Sequence, residues 1–244
     1  MMIAFMEELS LRAWPAYEEK IYDGWVLRFA EGYTKRANSV NPLYTSSVDV
    51  GEKIAYCEKA YGERGLPAVF KLTGESTPAE LDRELTARGY DRLDETSVRL
   101  LSLGKGHAAV PGVGQFPRVC EEWLRSFARC SGIDDATTVE KLARILRSIP
   151  GETIFAYVKE KGRIVACGLG VLDQGYLGGF DIVVDPAYRK MGYGRRIMEG
   201  LLGTGAGRGA KTAYLQVVAG NRPAEKLYDS LGFSEIYRYW YRKE

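Results

Sequence analysis

Val184-Asp-Pro-Ala-Tyr-Arg189-Lys-Met-Gly192-Tyr-Gly194-Arg195-Arg196 is the stretch that decides the reading of this chain. It follows an apolar, β-branched run that ends at Val184. It precedes a helical pattern that begins near Gly194, so it reads as a strand-to-helix turn. Its kernel is Arg-x-x-Gly-x-Gly. Two glycines two positions apart let the backbone bend tightly and approach a ligand with no Cβ in the way. The N–H groups of the turn and the first helical turn then point at one spot, and the positive end of the helix dipole adds to their attraction for an anion. Arg189, Lys190, Arg195 and Arg196 supply charge-assisted donors. This reads as a pyrophosphate cradle, with a basic, glycine-rich connection between strand and helix as the alternative. A dinucleotide fingerprint needs Gly-x-Gly-x-x-Gly in a first βα unit, and here Arg takes the first glycine's place. A P-loop needs Gly-Lys-Ser/Thr, which is absent.

About 30 residues further on lies a second pattern, after a strand expected at Thr212 to Val218. It reads Asn221-x-x-Ala224-x-x-Leu227-Tyr228-x-x-Leu231-Gly232-Phe233. Ala224, Leu227 and Leu231 form the core face of a helix expected from Pro223 to Leu231. Tyr228 lies off the centre of that face, either reaching a cleft or packing half-buried. Upstream, apolar residues recur at helical spacing at Val119, Trp123, Leu124, Phe127 and Cys130, and again at Val139, Leu142, Ile145 and Leu146. Strands are expected at Thr153 to Val158, Ile164 to Val171 and Tyr176 to Val184. Lys161-Gly162 and Asp173-Gln174-Gly175 are the turns between them. A strand near Ile236 to Tyr241 closes the chain. The order α-α-β-β-β-α-β-α-β predicts an α/β (α+β) fold with a mixed, mostly antiparallel central sheet flanked by helices.

The glycine- and proline-rich stretch 104–117 reads as a linker, dividing the chain into 1–103 and 118–244. The first part shows strands at Trp25 to Phe29, Ala37 to Val40, Ala68 to Leu72 and Ser97 to Leu101. Its helices are expected at Lys53 to Tyr61 and Pro78 to Ala87. At an offset of roughly 144 residues the two parts show weak likeness, both ending a helix at Gly-aromatic (Gly89-Tyr90, Gly232-Phe233), so related halves are expected. The first half has no Arg-x-x-Gly-x-Gly, and Leu85 stands where Tyr228 would align.

The formal net charge is +2. Such a balance offers no concentrated basic field, so nucleic acid and anionic membrane are not expected partners. No apolar run approaches membrane-spanning length, and Glu7 and Glu8 follow too closely on Met1 to Phe5 for a signal peptide. The four cysteines, Cys57, Cys120, Cys130 and Cys167, form no Cys-x-x-Cys pair. They read as reduced thiols of a cytoplasmic protein rather than a metal site. The single histidine, His107, lies in the linker stretch and is given no role. Histidine triads and multi-histidine metal sites are therefore not expected.

With both signature segments in order, the C-terminal half resembles the GNAT superfamily of N-acetyltransferases. The resemblance implies acetyl-CoA as cosubstrate and direct transfer of its acetyl group to a primary amine. It implies that Ile182, Val183 and Val184 pair with the pantetheine arm as a pseudo-strand. It further implies that Arg189, Lys190, Met191, Gly192, Tyr193, Gly194 and Arg195 hold the pyrophosphate. Asn221 and Ala224 would contact the CoA arm, and Tyr228 would be the general acid for the departing thiolate. Asp181 is the candidate base, because strand alternation sets it opposite Phe180 and Ile182; a structural carboxylate is the alternative.

The segment Asp23 to Leu43 resembles one in a bacterial subgroup of two-part members of that superfamily, some named N-acetylglutamate synthases. Arg28, Arg36 and Asn38, with Ser39, are candidates for an acceptor pocket, Arg36 pairing with an acceptor carboxylate. A solvated hairpin with a capped turn is the alternative. The acceptor expected is a small-molecule amine or amino acid, with a protein or peptide amine as the second reading. A non-catalytic acyl-CoA sensor is the reading from another class. The sequence leaves the oligomeric state open.

Overall fold

The computed structural model of the chain describes residues 2–104 and 106–244. Among them are helices α1 (Met2–Ala13), α2 (Val50–Gly62), α3 (Leu81–Ala87), α4 (Glu121–Ser131), α5 (Ala136–Arg147), α6 (Tyr193–Gly207) and α7 (Arg222–Ser230). The strands are β1 (Glu18–Tyr22), β2 (Trp25–Phe29), β3 (Val40–Pro42), β4 (Val69–Thr73), β5 (Asp91–Ser102), β6 (Gly114–Phe116), β7 (Glu152–Glu160), β8 (Arg163–Asp173), β9 (Tyr176–Val184), β10 (Thr212–Val218) and β11 (Ser234–Lys243). They form two compact units. One contains the chain up to Val98 with Val217–Asn221 and Glu235–Glu244, the other Arg99–Gln216 with Arg222–Ser234. The division therefore falls inside β5 and β10, away from the 104–117 stretch expected to divide the chain. The reason is visible in that stretch: β6 pairs antiparallel with β7, Gly114 facing Tyr157 and Phe116 facing Phe155. Gly114 is needed there, since a Cβ would lie 2.3 Å from the Tyr157 ring.

In the first unit β1 and β2 form a hairpin through Asp23-Gly24, both at positive φ (43° and 81°), as a two-residue primed turn requires. β2 pairs antiparallel with β3, β3 parallel with β4, and β4 antiparallel with β11. Helix α2 starts where the Asp49 carboxylate accepts from the N–H groups of Gly51 and Glu52. Its Ile54, Cys57 and Tyr61 join Trp25, Phe70 and Leu85 in the core. Three elements depart from expectation. Residues 37–40 are not one strand: a 3-10 turn spans Lys35–Ala37 and the strand begins at Val40. Asn38 bends this segment, because its side chain bonds the backbone on the other side of the corner. The short apolar run at the N-terminus continues as α1, which buries Met6 and Leu9. Strand β1 is charged and exposed, so it carries no apolar alternation to reveal it.

In the second unit β6, β7, β8 and β9 form an antiparallel run, and β9 pairs parallel with β10. This is the mixed, mostly antiparallel sheet flanked by helices that the pattern predicts. Trp123 of α4 stacks on Phe127 and meets Phe155 edge-on, while its indole N–H donates to the Ala156 carbonyl. Helix α6 places Ile197 and Leu201 against Gly168 and Gly170 of β8; a Cβ at Gly168 would come within 2.4 Å of Ile197, and one at Gly170 would lie tight against Leu201 at 3.0 Å.

Candidate acyl-donor site

The site begins with an irregularity in β9. Val183 faces Cys167 and Phe180 faces Leu169, so Asp181 and Ile182 together oppose Gly168. That is a β-bulge, and Asp181 takes the left-handed conformation it needs, at φ 52°. The bulge interrupts strand alternation at Asp181, so the alternation argument for its direction does not hold there. A Cβ on Gly168 would come within 2.8 Å of Ile182 and 2.4 Å of Ile197, so the bulge and helix α6 are packed onto one glycine.

The parallel pairing of β9 with β10 covers Tyr176–Gly179 against Thr212–Leu215 and stops there. Beyond it, Ile182, Val183 and Val184 are half-buried and have no register partner on β10. A strand whose edge is open over three residues is a template for an extended polar chain.

Val184 leads into the loop that the sequence singles out. Asp185, 8% exposed, caps a 3-10 turn at Pro186–Tyr188 by accepting from the Ala187 N–H. Its carboxylate also pairs with Arg163 at 3.3 Å and Arg129 at 3.7 Å. Lys190 and Gly192 both stand at positive φ, 62° and 83°, on either side of the exposed Met191. Among the described residues, no partner takes the backbone N–H of Lys190, Met191, Gly192, Tyr193, Gly194 or Arg195. Gly192 is the N-cap of α6 without a side-chain cap, and no acidic residue stands in the helix's first turn. The loop is thus a nest of open donors at a helix N-terminus.

The glycines have different jobs. Gly192 has open space around its would-be Cβ and is required by its backbone angle. Gly194 is helical, and a Cβ there would make only ordinary contacts, at 3.6 Å to Leu227 and 3.8 Å to Val184.

The basic residues divide as well. Arg189 and Lys190 are exposed beside the loop, Arg189 with its Nε donating to the Val184 carbonyl. Arg195 is occupied by Glu199 and by Ser230 of α7. Arg196 lies over the Tyr193 ring.

Asn221 is exposed and immediately precedes α7, on which Ala224 is half-buried. Tyr228 is the buried residue of that helix, 9% exposed and edge-on to Phe233, while Leu227 is only half-buried. The core face is therefore turned by one residue from the expected one. Among the described residues the Tyr228 hydroxyl has no hydrogen-bond partner. Burial pushes its pKa up to about 12, so the phenol holds its proton throughout the neutral range.

The proposed acceptor residues of the first unit fare differently. Arg28 is fully buried and donates to Glu19 and to the carbonyls of Arg36, Leu11 and Trp14. Asn38, 6% exposed, accepts from the N–H groups of Ala30 and Gly32 and donates to the Thr34 carbonyl. Both are spent on holding a corner, which corrects their reading as pocket-lining groups. Ser39 is also fully buried. Arg36 alone stays half-exposed, its guanidinium over the Trp14 ring at 5.1 Å. The sequence reading missed Asp185, Gly168 and Glu160, whose carboxylate accepts from the Tyr193 hydroxyl at 2.8 Å. Only the spacing of Asp185 ahead of a proline at a helical turn could have flagged a cap. Among the described residues no cluster of three or more His, Cys, Asp or Glu could hold a metal ion, and no helix is long and apolar enough to cross a membrane.

Residues 2–242 match the protein family described as "Probable histone acetyltransferase Rv0428c C-terminal". The chain is 29% identical over 243 residues to the uncharacterized N-acetyltransferase YobR of Bacillus subtilis, covering 97% of this chain and 96% of that one. It is 46% identical over 65 residues to the [ribosomal protein bS18]-alanine N-acetyltransferase of Escherichia coli, covering 27% of this chain and 43% of that one. Among solved structures, a GCN5-related N-acetyltransferase from Kribbella flavida superposes with a TM-score of 0.71 over 99% of this chain and 95% of its own, at 16% identity. A tandem GNAT protein from the clavulanic acid biosynthesis pathway superposes at 0.62 over 80% of this chain and 69% of its own, at 13% identity.

Proposed function

Because this chain belongs to the N-acetyltransferase family described as "Probable histone acetyltransferase Rv0428c C-terminal", whose GNAT-type members use acetyl-CoA, we propose that its second unit binds acetyl-CoA at the β9 edge and the 189–194 loop and transfers the acetyl group to a primary amine. The observation that carries this reading is the row of unpartnered backbone N–H groups from Lys190 to Arg195 at the start of α6. Ile182 to Val184 would hold the pantetheine arm through the open strand edge. Met191, Gly192, Tyr193 and Gly194 would cradle the pyrophosphate, with Arg189 and Lys190 at its rim. Asn221, with Ala224 on the next turn, would contact the arm.

Acetyl-CoA supplies an activated thioester. An amine attacks it only as the free base, so the chain must take one proton and give one. Tyr228 is the donor to the departing thiolate, and its raised pKa keeps it loaded, at the cost of a weaker driving force than an unperturbed tyrosine. Asp181, at the bulge, is the candidate for accepting the ammonium proton directly or through water. A backbone N–H of β9 near the bulge would stabilise the oxyanion.

The first unit is read as a degenerate copy of the same fold. The likeness to a tandem GNAT protein supports this reading. A small amine or amino acid is the acceptor class favoured by the resemblance to two-part synthases. A peptide or protein amine is the second reading, favoured by relatives named for histone and ribosomal-protein acetylation. An acetyl-CoA turnover screen across amino acids, polyamines and peptide N-termini or lysines tests both. Wild-type protein that is stabilised by acetyl-CoA yet acetylates nothing in that screen would mean a sensor, not an enzyme.

A further inference from the structure

Tyr193 occupies the position between the two glycines of the loop, and three groups hold its ring. Glu160, the last residue of β7, accepts from its hydroxyl at 2.8 Å. Tyr188, at the end of the 3-10 turn, meets it edge-on at 6.1 Å between centroids. The Arg196 guanidinium lies over it at 5.5 Å. Tyr188 precedes the loop and Tyr193 ends it, so the ring contact closes the loop on itself. The hydroxyl then ties that closed loop to β7. Tyr193 is 9% exposed, so its ring is a fixed point and not a surface group.

Glu160 is an odd neighbour for a phosphate site. Its side chain ends one hydrogen bond away from a residue of the cradle, well within the roughly 10 Å over which charges interact at ordinary ionic strength. An acidic group there repels an anionic ligand. Its presence makes sense if it acts on the loop rather than on the ligand. The cradle's donors are backbone N–H groups, and they converge only while Lys190 and Gly192 keep their positive φ values. A polar tether that fixes Tyr193 reduces the conformational freedom lost on binding.

We propose that Glu160 is a positioning residue for the acyl-donor site: by accepting from the Tyr193 hydroxyl, it holds the 188–194 loop in its binding conformation before the ligand arrives. The inference rests on the proposed placement of acetyl-CoA, and it makes a prediction of opposite sign from simple electrostatics. Removing a negative charge beside a phosphate site should strengthen binding if charge is all that matters. Removing a tether should weaken it.

The test uses coenzyme A itself as probe and the full-length chain. Thermal shift and titration calorimetry give its Kd for wild type, Glu160→Ala, Glu160→Gln and Tyr193→Phe. Hydrogen exchange at the loop amides of the ligand-free proteins gives a readout without turnover. Glu160→Ala and Tyr193→Phe should each weaken coenzyme A binding roughly five- to ten-fold, the scale of one hydrogen bond to a charged group. Their loop amides should exchange faster before any ligand is added. Glu160→Gln keeps an acceptor and loses the charge, so its Kd should stay within about two-fold of wild type or improve. In turnover, Glu160→Ala should raise the KM for acetyl-CoA and leave kcat within about two-fold, since pre-organisation of a binding loop is lost equally in ground and transition states. Binding that is unchanged or tighter in Glu160→Ala overturns the inference, as does a Glu160→Gln loss as large as that of Glu160→Ala. Should wild type itself show no response to coenzyme A, the failure belongs to the placement of the acyl-donor site and not to the tether.

Discussion

The corner at residues 30–38 and the loop at 185–194 are built from the same ingredients and reach opposite ends. Each follows a strand, each contains a 3-10 turn, and each holds a glycine at positive φ (Gly32 at 74°, Gly192 at 83°) beside arginine side chains. In the first, the Asn38 side chain takes the N–H groups of Ala30 and Gly32, and the buried Arg28 takes three carbonyls. The corner satisfies itself and becomes a rigid part of the core. In the second, the Asp185 carboxylate takes the Ala187 N–H and the Glu160 carboxylate takes the Tyr193 hydroxyl, and the backbone N–H groups from Lys190 to Arg195 stay open. Whether arginines and glycines make a binding site depends on whether some local side chain has already used the backbone groups.

The largest expected effect lies in the closed corner. Arg28→Ala strips the buried partners of three carbonyls and of Glu19, and such losses cost about 3–5 kcal/mol. The first unit should unfold at far lower denaturant concentration, as followed by circular dichroism. A variant that keeps wild-type stability but loses affinity for an acceptor would reverse the comparison and make Arg28 a binding group.

In the open loop the corresponding test is Gly194→Asp. The position is helical and has room for a Cβ, so the fold should survive with a melting temperature close to wild type. The new carboxylate puts a negative charge in the row of open N–H donors, and coenzyme A binding should weaken by about 10²-fold or more, abolishing the thermal shift it gives to the wild type. An undiminished shift would remove the loop from the site.

Two buried tyrosines repeat the contrast. The Tyr61 hydroxyl donates to the Arg28 carbonyl at 2.8 Å and accepts from the Arg28 N–H, so it is structural. The Tyr228 hydroxyl has neither kind of partner among the described residues. Tyr61→Phe should lower stability by about 1–3 kcal/mol. Tyr228→Phe should leave stability nearly unchanged and lower kcat by about 10²-fold, the usual scale for a positioned acid. The pH dependence follows from burial. The folded pKa of Tyr228, about 12, is above the ordinary value of 10. Its effect on stability is therefore constant below pH 10, and stability is lost as pH rises from 10 towards 12. Activity should show no alkaline fall from this group below about pH 11. A kcat limb near pH 9 that vanishes in Tyr228→Phe would contradict this.

What could be read from the sequence follows the same division. Local rules announced themselves: the Arg-x-x-Gly-x-Gly spacing, the helix faces of α4 and α5, and the positive-φ turns at Lys161-Gly162 and Gln174-Gly175 all stand where periodicity and turn chemistry put them. Groups whose role depends on distant partners did not. The bulge at Asp181 requires Gly168, thirteen positions back and on another strand, and the Glu160–Tyr193 tether spans 33 residues. Arg28 and Asn38 look like recognition residues in a string of letters, because the carbonyls and N–H groups that consume them are invisible until the chain folds. The linker reading failed for a related reason: glycine and proline at 104–117 describe irregular chain, yet Gly114 serves as the smooth face of an edge strand against Tyr157.

Arg36 gives the smallest effect and the sharpest use of the comparison. Of the polar residues expected at the acceptor pocket, it alone is half-exposed, with its guanidinium over the Trp14 ring, and it is its carbonyl that Arg28 engages. The bond from Arg28 goes to backbone, so Arg36→Ala leaves it intact while removing the cation–π contact with Trp14, worth about 0.5–1 kcal/mol at such a site. Arg36→Lys keeps the charge but not the planar fork that stacks and grips a carboxylate. If Arg36 serves the acceptor, both substitutions should raise the KM for a carboxylate-bearing acceptor several-fold. Neither should change the KM for acetyl-CoA. Acceptors without a carboxylate should be indifferent to both. Equal KM values for all acceptors in wild type and both variants would assign Arg36, with Arg28 and Asn38, to the closed corner, and no residue proposed from the first unit would remain in the acceptor site.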